Sequence, residues 1–88
     1  MKILIKAFGP EITRLLEREL VVDLDPGSTV DDLVMRLEED IKARHGRTRS
    51  ILGSDFRVLI NGQHIDTLLE RGLKDGDLVT ILSPIGGG

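Results

Sequence analysis

The sequence has no cysteine, no tryptophan and no tyrosine among its 88 residues, and it has only two phenylalanines. Without cysteine the chain can form no disulfide, no thiolate metal site and no thiol nucleophile. Few aromatic rings and a net charge of -3 argue against general nucleic-acid binding, which needs a basic surface for phosphates and rings on which bases stack. No apolar run approaches the roughly 20 residues that cross a bilayer. Met1-Lys2 leads into an alternating segment rather than a secretory signal, so we expect a cytoplasmic protein that contacts neither membrane nor DNA.

The rest of the composition is that of one small globular domain. Hydrophobic residues make up 40% of the chain and charged residues 31%. A chain of this length buries only about 60–65% of its surface on folding, which allows a single compact core. The two histidines, His45 and His64, are far apart in the sequence and give a metal site little to build on. We expect no bound metal and no bound cofactor.

Hydrophobic periodicity predicts the secondary structure. Residues alternate between apolar and polar over five segments, as expected for strands at 1–8, 19–25, 56–61, 63–66 and 78–82. A short helix is expected after Pro10, because proline suits the first helical turn.

The main helix is predicted from about Val30 to His45. Its apolar stripe has helical spacing and comprises Val30, Leu33, Val34, Leu37 and Ile41. Ser28 or Thr29 provides its N-cap. The order β-β-α-β-β-β predicts an α+β roll of the β-grasp type, a mixed sheet of four to five strands with this helix on one face.

Three groups that resemble catalytic or binding motifs have simpler explanations. Gly27-Ser28-Thr29 resembles an anion cradle, but the capping pattern predicts a plain helix start. Asp75 and Asp77 flank Gly76 in a tight turn, with no neighbour that would raise a carboxyl pKa. His64 lies beside the Asn61-Gly62 hairpin turn and is expected to be solvated. An active site built from this chain alone is not expected.

The C-terminal carboxylate of Gly88 is the reactive group that remains. It ends a tail, residues 83–88, that follows a domain at 1–82 and is expected to be flexible. Pro84, Ile85 and Gly86 would thread this tail into a narrow channel of another protein, because glycine has no Cβ to obstruct it. Gly87 and Gly88 would then reach that protein's nucleotide site. The alternative is a frayed terminus or a cloning remnant.

Several short runs, taken in order, resemble one family. They are Val58-Leu59-Ile60-Asn61-Gly62, then Leu73-Lys74-Asp75-Gly76-Asp77, then a short apolar strand followed by Pro84-Ile85 and terminal glycines. In this order and at these spacings the chain resembles MoaD, ThiS, the ubiquitin-related modifiers and the small archaeal modifier proteins. The resemblance covers essentially the whole chain. One departure is Gly86, where MoaD proteins usually carry a small or polar residue before the final Gly-Gly.

The resemblance implies a ubiquitin-like β-grasp protein that is not itself an enzyme. In this family an ATP-dependent activating enzyme of the MoeB/ThiF type adenylates the terminal glycine, here Gly88 preceded by Gly87. A sulfurtransferase then converts it to a thiocarboxylate that serves molybdopterin biosynthesis or tRNA thiolation. Alternatively the activated carboxylate is joined to lysines of target proteins. The implied partners therefore also include the large subunit of molybdopterin synthase, and the free chain is expected to be a monomer.

Strand alternation also predicts a docking surface. If the main helix covers Ile3, Ile5, Val58 and Ile60, the opposite sheet face carries four apolar side chains among charged ones. These are Leu4, Phe8, Leu59 and Leu82. Apolar side chains with a polar rim mark interaction sites, and scattered surface leucines are the alternative.

A basic stretch from Lys42 to Arg49 holds four cations and no acidic residue. It is expected to be a solvated helix end, with contact to RNA or to an acidic partner as the alternative. Three functions stay open at this point: a sulfur carrier, a covalent protein modifier, and a non-covalent ubiquitin-like module with an inert tail.

Overall fold

The computed structural model describes residues 1–47, 50–51, 56–64 and 71–83. Its elements are β1 (Lys2–Phe8), α1 (Pro10–Leu15), β2 (Glu19–Asp23), α2 (Val30–His45), β3 (Arg57–Ile60), β4 (Gln63–His64) and β5 (Leu78–Leu82). The α+β, β-grasp prediction is confirmed, with one main helix on a mixed sheet. Within the described ranges, no helix is both long enough and apolar enough to cross a membrane.

The five strands form one sheet in the order β2-β1-β5-β3-β4. The central pair, β1 and β5, is parallel, and every other neighbouring pair is antiparallel. Since β1 and β5 are parallel neighbours, both strands end on the same side of the sheet, at the ends of the strands. The chain beyond β5 therefore leaves the domain beside the end of β1.

Local sequence explains where α2 begins and ends. The Thr29 side chain accepts a hydrogen bond from the Asp32 backbone N–H, and the Asp32 carboxylate accepts one from the Thr29 backbone N–H at 2.9 Å. This capping box satisfies two backbone donors that a helix start leaves unpaired. The helix ends at Gly46, whose φ of 76° is the left-handed conformation that glycine adopts without strain. Of the two predicted caps, Thr29 is therefore the one used.

One apolar cluster joins α2 to a single face of the sheet. The helix contributes the five residues of its predicted stripe, all buried. The sheet contributes the inward side chains of its central strands, among them Ile3, Ile5, Val58 and Ile60. Alternation along β1 and β5 matches this arrangement, since every second residue is buried. The other sheet face is left without a covering layer among the described residues.

Strand ends differ slightly from the sequence prediction. The second strand ends at Asp23 rather than 25, because the following residues turn at Asp25-Pro26-Gly27 and Ser28 donates to the Asp25 carbonyl. The third spans Arg57–Ile60, inside the predicted 56–61. The fourth is described at Gln63–His64, and the rest of its predicted span lies outside the described residues.

Candidate functional site

The open face of the sheet brings together the four apolar residues predicted for docking. Phe8 on β1 pairs with Leu82 on β5, and Leu82 pairs in turn with Arg57 on β3. Leu59 lies one row further in, opposite Thr80. Phe8 is 52% exposed, whereas Leu59 and Leu82 are half-buried. We call Leu4, Phe8, Leu59 and Leu82 the open-face patch.

A second apolar row, which alternation in single strands did not reveal, crosses the same face. Leu4 pairs with Val21 on β2 and with Leu78 on β5. Val21 is 59% exposed and stands on an edge strand. Between this row and Phe8 lies a polar row in which Lys6 faces Glu19, with a 3.9 Å ion pair. Leu4 therefore belongs to the far row, and Phe8 and Leu82 stand together where β1 and β5 end.

The last described residue, Ser83, is held against the end of β1. Its backbone N–H donates to the Phe8 carbonyl at 2.9 Å, and its hydroxyl lies 3.4 Å from the same oxygen. Ser83 is only 6% exposed, although the sequence analysis placed it at the start of the tail. The point from which the chain continues toward Gly88 is thus fixed to the sheet by a backbone hydrogen bond.

Gly9 makes this attachment sterically possible. Its φ of 104° and ψ of 156° lie in a region that only glycine occupies without strain. A Cβ at this position would overlap the Ser83 hydroxyl oxygen and would lie 2.9 Å from the Ser83 carbonyl oxygen. In the sequence, Gly9 is simply the residue that follows the first strand. Its part in packing Ser83 depends on two residues that are 74 positions apart, so local patterns do not reveal it.

Pro84, Ile85, Gly86, Gly87 and Gly88 lie outside the described residues. From Ser83, five further residues can place the terminal carboxylate at most about 17 Å away when fully extended. We define Phe8, Gly9, Leu82 and Ser83 as the tail end, since the chain continues from here toward Gly88.

A groove of about 490 Å³ lies beside the tail end, between β1, α1 and the start of β2. Lys6, Phe8, Thr13 and Arg18 contribute to its walls. The α1 helix is anchored here, because the Thr13 hydroxyl donates to the Gly9 carbonyl at 2.8 Å and the Ala7 N–H donates to the Arg18 carbonyl at 2.9 Å. The charged lining of the groove consists of Lys6 and Arg18 together with Glu19, which pairs with Lys6.

At the opposite end of the strands, the Asn-Gly and Asp-Gly-Asp sequences form one hydrogen-bonded unit. The Asn61 side chain donates to the Asp77 carboxylate at 3.0 Å and accepts from the Leu78 N–H at 3.0 Å. Asp77 also accepts from the Lys74 N–H at 2.8 Å, and Asp75 accepts from the Lys2 N–H at 2.6 Å. We call Lys2, Asn61, Asp75 and Asp77 the turn end. It ties the hairpin turn to the start of β5 and to the first strand.

Asp77 is the carboxylate whose titration this arrangement changes. The hydrogen bond from the Lys74 backbone lowers its pKa below the ordinary value of 3.8, and the bond from Asn61 and the nearby cations Arg71 and Lys74 act in the same direction, against the opposing effect of burial. An ionised carboxylate held by donors suits a structural role. It does not suit a general acid, which would need a raised pKa.

A family model matches residues 6–88 of the chain and is described as the ThiS family. The chain belongs to the ThiS family. This confirms the resemblance drawn from the Asn-Gly and Asp-Gly-Asp runs and the terminal glycines, and it places the chain among the ubiquitin-like sulfur carriers and modifiers. A search of curated protein sequences gives no match.

Solved structures of similar chains agree with the ThiS-family assignment. Small archaeal modifier protein 1 from Methanosarcina acetivorans is 27% identical, with a TM-score of 0.72, and the likeness covers 99% of this chain and 96% of that one. A protein described as putative molybdopterin converting factor, subunit 1, from Pyrococcus furiosus is also 27% identical, with a TM-score of 0.72 and coverage of 94% and 97%.

A third similar chain comes from the complex of subunits 1 and 2 of the molybdopterin-converting factor of Helicobacter pylori. It is 24% identical, with a TM-score of 0.60, and both chains are covered in full. At this identity the likeness shows the shared fold. In that structure a protein with this fold occurs in a complex with a second subunit.

Proposed function

We propose that this ThiS-family protein is a sulfur carrier whose C-terminal glycine is activated by a partner enzyme. The observation that carries the proposal is the match of the family model through residue 88, on a chain that ends in three glycines beyond a fixed Ser83. The chain acts as the substrate of the reaction and supplies its carboxylate. The partner supplies the catalytic groups and uses ATP.

The proposed chemistry has two stages. A carboxylate oxygen of Gly88 attacks the α-phosphorus of ATP, pyrophosphate leaves, and an acyl adenylate forms. The terminal sulfur of a persulfide on a sulfurtransferase then attacks the acyl carbon and displaces AMP. A thiol cleaves the resulting acyl disulfide and leaves the thiocarboxylate on Gly88. Gly86 and Gly87 let the terminus enter a narrow active-site channel, since neither has a side chain.

The open-face patch is the proposed docking surface for the activating enzyme. Phe8 and Leu82 flank the point at which the tail begins, so a partner that contacts them also receives the tail. Apolar side chains within a charged rim are typical of a protein–protein interface, and Phe8 is the exposed member of this patch. Leu59 extends the patch onto β3, and Leu4 links it to the row at Val21 and Leu78.

A second candidate function is covalent protein modification. The likeness to small archaeal modifier protein 1 at 27% identity supports it, because that protein is described as a modifier. Both functions share the acyl adenylate and differ in the group that attacks it. In a modifier the attacking group is the amine of a lysine on a target protein, and AMP leaves as an isopeptide bond forms.

Mass spectrometry of the chain and of total protein from the source cells separates these functions. A sulfur carrier is heavier than the encoded chain by the mass difference between sulfur and oxygen. A modifier leaves a glycine remnant on lysines of other proteins. An intact chain with neither mark, under conditions in which the sulfur pathways are active, would contradict both and would favour a non-covalent module with an inert tail.

A further inference from the structure

The basic stretch begins in the last turn of α2, and two of its residues contact the chain at and just after the end of α1. The Arg44 guanidinium lies 3.7 Å from the Glu17 carboxylate, and the His45 ring lies 3.4 Å from the Leu15 carbonyl oxygen. The C-terminal turn of α2 is thereby held against the end of α1. Because α1 follows β1 directly, the described part of the basic stretch, residues 42–47, lies at the same pole of the molecule as the tail end.

Cations from four separate parts of the chain lie toward this pole, where they outnumber the carboxylates of Glu11, Glu17 and Glu19. Arg14 comes from α1, Arg18 from the groove wall, Lys42 and Arg47 from the end of α2, and Arg57 from the start of β3, where it pairs with Leu82. All five are exposed, and none forms an ion pair within the described part of the chain. The two other cations here, Lys6 and Arg44, are neutralised by Glu19 and Glu17.

The opposite pole is acidic. Contacts between Met1 and Asp23, between Lys2 and Asp75, and between Ser28 and Leu73 bring its turns together with the start of α2. Its carboxylates are Asp23, Asp25, Asp31, Asp32, Asp75 and Asp77, against the side-chain cations of Lys2, Arg71 and Lys74. Although the overall charge is -3, the pole with the tail end is positive and the opposite pole is negative.

From this charge separation we propose that the surface surrounding the tail-entry channel of the partner enzyme is acidic and that it draws the chain in tail first. The inference rests on the proposed function and adds the chemistry of the partner. A charge separation of this kind turns the molecule during diffusional encounter, so that the positive pole leads toward a negative surface. Arg57 pairs with Leu82, and Arg18 lines the same groove as Phe8, so cations border the tail end as a charged rim borders an apolar interface core.

A protein surface suits this pole better than RNA does. Single-stranded RNA is bound by aromatic side chains on which bases stack, together with a basic groove. The chain has only two aromatic residues; Phe56 is buried, which leaves Phe8 as the exposed ring. The apolar residues beside the cations, Phe8 and Leu82, gain most from burial against another apolar surface.

The test compares two variants with the same change of charge at opposite poles. Lys42→Glu acts at the positive pole and Lys74→Glu at the acidic one, and both lysines are exposed. Adenylation is measured with a purified MoeB/ThiF-type enzyme from the source organism, from about 0.05 M to about 1 M NaCl, a range over which the screening length falls to about 3 Å. Thermal melts of each variant show that the fold is retained.

For wild type we expect kcat/KM to fall as salt rises, because KM rises while kcat changes little. Lys42→Glu should lower kcat/KM roughly three- to tenfold at low salt, with the gap closing near 1 M, because steering by exposed charges is screened. Lys74→Glu should leave it equal or slightly raised. Equal kinetics for the two variants, or a wild-type rate independent of salt, would overturn the inference while leaving the proposed function in place.

Two further outcomes would also overturn it. If wild type yields no adenylate with any such enzyme, the proposed function fails and this inference fails with it. If Lys42→Glu is adenylated normally but loses binding to bulk tRNA that Lys74→Glu retains, the positive pole is an RNA-binding surface.

Discussion

The tail end and the turn end, which lie at opposite ends of the strands, are held together by different kinds of interaction. At the turn end, side-chain carboxylates and an amide satisfy backbone donors, and Asp77 alone accepts from both Asn61 and Lys74. At the tail end, a backbone hydrogen bond and a glycine without side chain hold Ser83, and the neighbouring side chains point outward unpaired. The turn end uses its polar groups for stability. At the tail end, the Phe8 side chain stays 52% exposed.

This contrast assigns different roles to sequence runs that belong to one family pattern. The Asn-Gly and Asp-Gly-Asp runs, which carried much of the resemblance, form the turn end, and β5 separates them from Ser83. The residues proposed to act with Gly88 are spread over β1, β3 and β5. Substitutions at these two ends should therefore affect different measurements, namely activation at the tail end and stability at the turn end.

The largest effect is expected for Phe8→Asp. Phe8 is 52% exposed, so the change should leave the fold intact while placing a charge in the open-face patch. We expect kcat/KM for adenylation to fall by about 30-fold or more, as for an interface residue worth about 2 kcal/mol. Val21→Asp is the matched control, since Val21 is 59% exposed on the same face but lies in the far row. Equal losses for both variants would remove the distinction between the tail end and the far row of the open face.

On stability, the largest effect is expected for Gly9→Ala. The strained conformation and the overlap with Ser83 together should lower the free energy of unfolding by about 2–4 kcal/mol. Gly27→Ala is the control, because Gly27 also has a positive φ, of 90°, but a Cβ there would meet nothing within 4 Å. Chemical denaturation measures both. A Gly9→Ala variant no less stable than Gly27→Ala would show that the packing of Ser83 is easily rearranged.

The sequence was sufficient to predict the architecture because its determinants are local. Alternation over Lys2–Phe8 and Leu78–Leu82, the α2 stripe and the Asn61-Gly62 turn each depend on neighbouring residues. Contacts between distant segments were not predictable in this way. The packing of Gly9 on Ser83, the Asn61–Asp77 hydrogen bond and the row of Val21, Leu4 and Leu78 all depend on which strands become neighbours. The charge separation likewise requires α1 to meet the end of α2.

A moderate effect, confined to stability, is expected for Asp77→Asn. Loss of the ionised acceptor should lower the free energy of unfolding by about 1–3 kcal/mol, because hydrogen bonds to a charged group are stronger than neutral ones. Adenylation kinetics measured well below the melting temperature should be unchanged. A loss of adenylation in the fully folded variant would mean that the turn end also takes part in activation.

The smallest effect is the pH dependence of that difference. The folded-state pKa of Asp77 is lowered, so its contribution is fully present above its unfolded value, near 3.8, and is lost as the pH falls through the folded pKa. The stability advantage of wild type over Asp77→Asn should thus be constant at neutral pH and should shrink as the pH is lowered past about 3.8. Urea denaturation of both proteins across this range measures it; an advantage that grows on acidification would contradict the assignment.

The central claim is that Gly88 is activated as an acyl adenylate from a tail held at Ser83. The most direct measurement is ATP–pyrophosphate exchange with a MoeB/ThiF-type enzyme from the source organism, using wild type and a chain that lacks Gly87 and Gly88. Both proteins should melt alike, because the deletion leaves the described domain unchanged. The account predicts exchange with wild type and none with the shortened chain. Equal exchange with both, or no exchange with wild type, would contradict it.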